Sequence, residues 1–140
     1  YIVPPSTGSV GEITISGVAA PSPSPTPSPS VTTYTVTVAS YLGSNYFYID
    51  GSRAAALTLT EGQTYKFDQS DSTNSSHPLR ISTTSNGTHG GGSEYTTGVT
   101  TSGTPGSSGA YTQIEVASDA PTLYYYCTNH SGMGGIIYTT

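Results

Sequence analysis

Hydrophobic side chains in the later part of this chain recur at every second position, in short runs separated by glycine-containing turns. In the first such run Tyr34, Val36 and Val38 alternate with threonines, which places them on one face of a strand. The same pattern predicts strands over residues 33–39, 45–49, 54–60, 64–69, 76–82, 111–117, 122–128 and 135–140. Helical periodicity is absent, so we expect an all-β sandwich of about eight strands.

The segment before this region has a different pattern. Residues 21–30 read PSPSPTPSPS, and proline at every second position predicts an extended linker of roughly 30 Å. Residues 1–20 contain a short β-forming run in which Ile13 and Ile15 share a face, but a piece of this size cannot bury a core alone. We therefore predict an N-terminal anchor or docking segment (1–20), a rigid Pro/Ser-rich linker (21–30) and a β domain (31–140).

The composition excludes several classes of partner. Charged residues make up 8% of the chain, and the net charge is −5 because eight acidic residues outnumber three basic ones. So few cations cannot neutralise a run of phosphates, which argues against nucleic acid as a partner. No stretch approaches the ~20 apolar residues that a membrane-spanning helix needs. We therefore expect neither nucleic-acid binding nor a membrane span.

The segment that carries chemistry follows the predicted strand at 122–128. The single cysteine, Cys127, lies at its end, and His130 and the single methionine, Met133, follow at intervals of three residues. A blue-copper site needs one thiolate, two neutral imidazoles and a weak axial thioether. His77 supplies a second imidazole, because it begins a predicted strand on the same face as Leu79 and Ile81. The predicted metal ligands are His77, Cys127, His130 and Met133.

Each of these residues also has a simpler interpretation. A lone cysteine is most often a small buried hydrophobe, and a lone methionine often fills a gap in a core. His89 lies in a Gly-rich loop, where we expect a solvated side chain, and it is the fallback ligand if His77 is not one. Asp68 and Asp71 lie near His77 but are expected to cap turns rather than to perform acid–base chemistry.

The motifs around the candidate ligands resemble those of the cupredoxins, the plastocyanin, amicyanin and pseudoazurin family of type 1 copper proteins. The run YYCTNH at 125–130 is similar to the family's Tyr-x-Cys-x-x-His signature, and LTLTEGQTYKF at 57–67 to its strand–turn–strand segment before the first ligand histidine. The resemblance covers about residues 33–138 and implies a Greek-key cupredoxin-like sandwich with one mononuclear type 1 copper ion. It implies equatorial ligands at His77, Cys127 and His130, and an axial ligand at Met133. Pro78 departs from the usual family pattern.

The linker leads to the functional hypothesis. A rigid stalk, a β-forming anchor and a weakly charged Ser/Thr/Gly-rich exterior favour a structural or adhesive module displayed on a virion, fibre or other extracellular assembly. The run YCTNHSGM at 126–133 also resembles cupredoxin-like modules of marine bacteriophage virion proteins. The expected location is the surface of a particle or cell-surface filament, and the expected partner is a larger assembly or neighbouring subunits, bound through residues 1–20.

The alternative hypothesis is a type 1 copper electron-transfer protein with a redox partner. A soluble electron carrier has no need of residues 1–30, which favours the display hypothesis. We do not expect an enzyme, because four protein ligands leave the metal no open coordination position.

Overall fold

The computed structural model describes residues 30–140, so the predicted anchor (1–20) and nearly all of the predicted linker (21–30) lie outside the described residues. The strands are β1 (Val31–Tyr41), β2 (Ser44–Ile49), β3 (Ser52–Arg53), β4 (Leu57–Leu59), β5 (Thr64–Asp68), β6 (Leu79–Ser82), β7 (Val99–Ser102), β8 (Tyr111–Glu115), β9 (Leu123–Cys127) and β10 (Gly135–Thr139). Two short 3₁₀ turns cover Ser72–Asn74 and Gly87–Gly90. Within residues 30–140, no helix has the length and apolar character needed to cross a bilayer.

The strands form two sheets, which confirms the predicted all-β sandwich. The six-stranded sheet has the order β3-β2-β1-β5-β8-β7, and the four-stranded sheet has the order β4-β10-β9-β6. All eight predicted strands are present, with ends that differ by a few residues, and β3 and β7 were not predicted. Both of these strands lie at an edge of the larger sheet. Their side chains are mostly exposed, so they lack the alternation from which the other strands were predicted.

The core lies between the two sheets and consists of the apolar side chains that alternate inward. In β9 the inward side chains are Leu123, Tyr125 and Cys127, and each is at most 1% exposed. Other fully buried members come from both sheets, namely Val36, Phe47, Leu59, Phe67, Leu79, Ile81, Ile114 and Ile137. Burying this apolar surface is the main favourable contribution to folding.

The strand register identifies the two ends of the sandwich, which we call the lower pole and the upper pole. At the lower pole, Val31 at the start of β1 pairs with Thr64, and the Glu61 N–H donates to the carbonyl of Thr140. At the upper pole, β5 ends at Asp68 and Cys127 pairs with Leu79. The chain therefore enters the domain at the lower pole, whereas β9 ends at the upper pole.

Candidate metal centre

Two segments at the upper pole bring the predicted imidazole and thiol ligands together. The first is the segment between β5 and β6. It contains the 3₁₀ turn Ser72–Asn74 and then His77, which lies just before β6. The second is the end of β9 at Cys127 and the loop that contains His130. Since β6 and β9 are antiparallel neighbours and Cys127 pairs with Leu79, His77 lies beside the end of β9. The sheet register therefore joins residues fifty positions apart in the sequence.

The ligand atoms of these three residues form a compact cluster. The Cys127 Sγ lies 3.7 Å from His77 Nδ1 and 3.6 Å from His130 Nδ1, and all three atoms lie within 4.8 Å of one another. Bonds of ~2.3 Å to sulfur and ~2.0 Å to nitrogen hold such atoms roughly 3.6–3.8 Å apart when the angle at the metal is tetrahedral to trigonal. The cluster therefore has the spacing of a shared metal ion. A hydrogen bond from the Cys127 thiol would explain only one of the two short distances, because the thiol has a single proton.

Exposure differs across the cluster. Cys127 is fully buried, His77 is partly buried and His130 is exposed. The sulfur therefore lies behind the imidazoles, and water reaches the site from the side of His130.

Met133 lies in the hydrophobic core. It is 1% exposed and belongs to the same hydrophobic cluster as Cys127. Its main-chain carbonyl accepts a 2.9 Å hydrogen bond from the Phe47 N–H, which fixes the end of the loop against β2 of the opposite sheet. This placement suits either a gap-filling side chain or a weak axial ligand, so its assignment as a ligand stays a prediction.

Burial sets the protonation states of two of the candidate ligands. It lowers the pKa of His77, and the nearby His130 lowers it further. Burial raises the pKa of the Cys127 thiol, although main-chain hydrogen bonds from Asn129 and His130 act in the opposite direction. His77 is therefore neutral at pH 7, as a metal ligand must be, whereas Cys127 is a protonated thiol that must lose its proton to bind a metal.

A buried polar network fixes the main chain around His77. The Gln69 side chain donates to the His77 carbonyl at 2.7 Å and accepts from the Leu79 N–H at 2.9 Å, so it spans the residues on both sides of Pro78. Asn74 accepts from Gln69 through its side chain and from the His77 N–H through its main-chain carbonyl. Because both amide side chains are buried and hydrogen-bonded, they hold His77 in one position.

A second contact ties the two ligand-bearing segments to each other. Ser76, directly before His77, has a φ of 68°, a left-handed conformation that is uncommon outside glycine. Its carbonyl accepts a 3.0 Å hydrogen bond from the Asn129 side chain, which lies between Cys127 and His130. Pro78, which cannot donate, still accepts from the Thr128 N–H, so the proline does not interrupt this contact.

The loop that contains His89 differs from its prediction. His89 is exposed, but its ring is not free in solvent, because Nε2 lies 2.8 Å from the carbonyl oxygen of Cys127. It contacts the main chain of a predicted ligand and is not part of the metal-ligating cluster, so its fallback role as a ligand has no support. The expected turn-capping roles of Asp68 and Asp71 are confirmed, because their carboxylates accept from the N–H groups of Ser70 and Thr73.

Several residues that support the site were not assigned a role from the sequence. They are Gln69, Asn74, Asn86 and Asn129, and all four act through side-chain amides. Asn74 begins an Asn-Ser-Ser glycosylation sequence, but it is fully buried and therefore unsuited to modification. These amides lie one, three or eight positions from the nearest histidine, so no fixed spacing identifies such support in advance.

Comparison of the chain with protein-family models and with curated proteins finds no match. The fold and the site therefore define the class of protein by themselves. It is an all-β two-sheet sandwich with a His77–Cys127–His130 cluster at ligand distance, compatible with a cupredoxin-like metal site.

Proposed function

We propose that residues 31–140 form a cupredoxin-like module that binds one copper ion at a type 1 site. His77, Cys127 and His130 would be the equatorial ligands, and Met133 the weak axial ligand. The observation that carries this proposal is the convergence of two imidazole nitrogens on one thiol sulfur, at 3.6 and 3.7 Å. The distances match those between ligand atoms that share one metal ion.

The kinds of ligand favour copper over zinc. Structural zinc sites use four strong ligands in a tetrahedron, most often with two or more cysteines. The cluster here offers two imidazoles and one thiolate, and no aspartate or glutamate among residues 30–140 belongs to it. A trigonal His₂Cys set with a distant thioether is typical of blue copper, and copper also binds more tightly than zinc to most sites of a given type.

Copper bound here would supply one-electron redox chemistry, and the residues of the chain would supply the fixed environment for it. Burial of Cys127 excludes water from the sulfur, and the Gln69–Asn74 network holds His77. Since the Gln69–Asn74 network acts on main-chain groups of His77, it leaves the imidazole nitrogens available to the metal. With four protein ligands there is no open coordination position, so we propose no catalytic activity.

Titration of the metal-free chain with Cu(II) tests this proposal. We expect an intense visible thiolate-to-copper absorption that saturates at about one equivalent, and Cys127→Ser should abolish it. Thr101→Ala, at an exposed position of β7, is the control and should behave as the unaltered chain does. A colourless product after complete loading, or binding unaffected by Cys127→Ser, would contradict the proposal.

For the whole chain we propose display of this module on a virion, fibre or other extracellular assembly, with residues 1–20 as the anchor. The supporting observation is the position of Val31 at the lower pole, so a chain that precedes it leaves the domain at the end opposite the cluster. A Pro/Ser-rich stalk attached there would direct the metal-binding pole outward. The linker sequence at 21–30 supports this arrangement.

The oligomeric state of the full chain tests the display proposal. Sedimentation velocity should show concentration-dependent assembly, and Ile13→Asp should weaken it by placing a charge on the predicted β face. Ser9→Asp, which adds the same charge outside that run, is the control. A full chain that stays monomeric and binds no particle would contradict display. It would favour instead the electron-transfer alternative, for which the exposed His130 offers a route to a redox partner.

A further inference from the structure

The segment Asn86–His89 lies across the outer side of the ligand loop and contacts it at two separate points. We propose that this segment is a positioning device for the metal site, in which His89 fixes the main chain of Cys127 and Asn86 fixes the loop between His130 and Met133. This proposal rests on the proposed copper function. It assigns to the segment Asn86–His89 the role of holding the ligand loop in the conformation that binds the metal.

The first contact supplies a hydrogen bond that the sheet does not provide. On one side of β9, pairing with β10 extends from Leu123 only to Tyr125, so β9 continues past its neighbour before it reaches Cys127. On the other side, the Leu79 N–H opposite Cys127 donates to Gln69 instead. The Cys127 carbonyl therefore needs a donor, and His89 Nε2 lies 2.8 Å from it. Since a carbonyl only accepts, Nε2 carries the proton in this contact.

The second contact lies farther along the loop. The Asn86 side chain donates to Ser131 Oγ at 2.8 Å and accepts from the Gly132 N–H at 2.9 Å. Ser131 and Gly132 lie between His130 and Met133, so one amide side chain fixes the part of the loop that joins an equatorial ligand to the predicted axial one. Asn86 has a φ of 62°, a left-handed conformation that asparagine tolerates better than most residues.

The segment is itself held against β9 by Tyr126. A Cβ atom on Gly87 would lie 2.5 Å from the Tyr126 ring, so only glycine permits this approach. The His89 ring also contacts Tyr126, with centroids 6.3 Å apart in an edge-to-face arrangement. Tyr126 points to the outer face of its sheet, yet it is 1% exposed because this segment covers it.

Together these contacts hold the loop Thr128–Gly134 near both of its ends, and none of them uses a candidate ligand atom. Residues that orient metal ligands in this way typically change metal affinity by about 10- to 100-fold when they are replaced. His89 and Asn86 are thus positioning residues, since neither belongs to the ligand cluster.

Three variants of the full chain test the proposal. His89→Phe keeps an aromatic ring against Tyr126 but removes the donor, and His89→Gln restores an N–H group at a similar reach. Asn86→Gly removes both side-chain hydrogen bonds and retains the left-handed backbone, because glycine adopts it readily. Thr83→Ala, at an exposed position just before the segment, is the control.

The first measurement uses the metal-free chain and follows the rate at which iodoacetamide alkylates Cys127. We expect His89→Phe and Asn86→Gly to raise this rate about tenfold, because a loosened loop uncovers the sulfur, whereas His89→Gln and Thr83→Ala should stay near the unaltered rate. The second measurement is Cu(II) binding, in which His89→Phe and Asn86→Gly should bind about 10- to 100-fold more weakly and show an altered thiolate-to-copper spectrum.

The two proposals fail in different ways. If the unaltered chain gives no thiolate-to-copper absorption, the copper function fails, and the alkylation rates still report whether the segment holds the loop. If all the variants match the unaltered chain in alkylation and in copper affinity, the positioning role is overturned. A loss of affinity in His89→Phe that His89→Gln does not restore would also overturn the role assigned to the His89 hydrogen bond. Circular dichroism of each variant checks that it is folded.

Discussion

The Gln69 side-chain amide donates a 2.7 Å hydrogen bond to the main-chain carbonyl of His77. The same side chain accepts from the Leu79 N–H, and Gln69 is only 2% exposed. One buried amide thus satisfies main-chain groups on both sides of Pro78, where a proline prevents ordinary strand pairing. The position of a candidate metal ligand consequently depends on a residue that has no part in metal chemistry.

Replacing Gln69 with leucine should therefore destabilise the metal-free domain. Gln69→Leu leaves the His77 carbonyl and the Leu79 N–H without partners in a buried environment, and we expect a loss of about 3 kcal/mol in the free energy of unfolding. Urea denaturation measures this quantity. Gln113→Leu, at a partly exposed position of β8, is the matched control and should change it by less than about 0.5 kcal/mol. Equal effects of the two substitutions would show that the Gln69 network contributes nothing specific.

The role of Met133 can be separated from its packing by a substitution that conserves volume. Met133→Leu should change the stability of the metal-free chain by less than about 1.5 kcal/mol, because leucine fills a similar space. If the thioether is the axial ligand, the copper form should show a changed reduction potential and a changed visible spectrum. Voltammetry and absorption of the loaded variant test this. A potential and spectrum identical to those of the unaltered chain would identify Met133 as a core residue alone.

Copper loading should release a proton from Cys127 at neutral pH. Burial raises the pKa of this thiol, so the folded chain carries the proton that the metal must displace. The pKa of His77 is lowered, so His77 does not compete through its own protonation above about pH 6.5. We expect copper affinity to rise about tenfold per pH unit between about pH 6.5 and 8.5. Competition titrations with a chelator at several pH values provide the measurement.

A matched measurement of proton release tests the same prediction directly. In weakly buffered solution at pH 7, loading of the unaltered chain should acidify the solution by about one proton per copper. Any binding that Cys127→Ser retains should release none, since serine has no titratable thiol. Equal proton release from both chains would contradict the assignment of Cys127 as a ligand.

Tyr125 should make the domain sensitive to alkaline pH. Burial raises its pKa above the usual value of 10.0, and its hydroxyl donates to the Ala55 carbonyl at 2.8 Å. A raised pKa contributes stability that is fully present below about pH 10 and is lost as pH rises, since the unfolded chain releases the proton first. Tyr125→Phe should cost about 1 kcal/mol at pH 7 but should reduce the loss of stability above about pH 10.

Urea denaturation between pH 7 and pH 11 measures this difference. Tyr138→Phe is the control, because Tyr138 lies at a 48% exposed position of β10. Its alkaline loss of stability should match that of the unaltered chain. If Tyr125→Phe also loses stability as steeply as the unaltered chain, Tyr125 is not the source of the alkaline sensitivity.

The strands and the clustering of Cys127, His130 and His77 could be predicted because most of their signals are local. The alternation of Tyr34, Val36 and Val38 directly reports a strand with one buried face, and all three side chains contact the core. The spacing of Cys127 and His130 places a strand end and a loop ligand together within a few residues. Pairing Cys127 with the distant His77 required only that both lie on inward faces at the same pole.

The supporting contacts could not be predicted, because they depend on where loops fold. His89 contacts the carbonyl of a residue 38 positions away, and a Gly-rich loop sequence sets no direction for its side chains. Asn74 begins an Asn-Ser-Ser sequence that fits the glycosylation pattern, whereas the structure buries its side chain in a hydrogen bond to the Val36 carbonyl. The edge strand β7 has three exposed polar residues and a single partly buried valine, Val99, so it lacks the alternation that predicts a strand.

The parallel pairing of β10 with β4 has a consequence for the order of events when the domain forms. Ile137 lies beside Leu57, eighty residues earlier in the sequence, so the loop-closure entropy for this pair must be overcome before the contact contributes any stability. Sandwiches dominated by such distant pairings typically fold over about milliseconds to seconds. During that interval Cys127 has no burial to protect it, and its thiol is open to oxidation and to premature capture of metal ions by an unfinished chain. Under the proposed copper function, metal supplied after the last strand has docked would meet the completed His77–Cys127–His130 cluster.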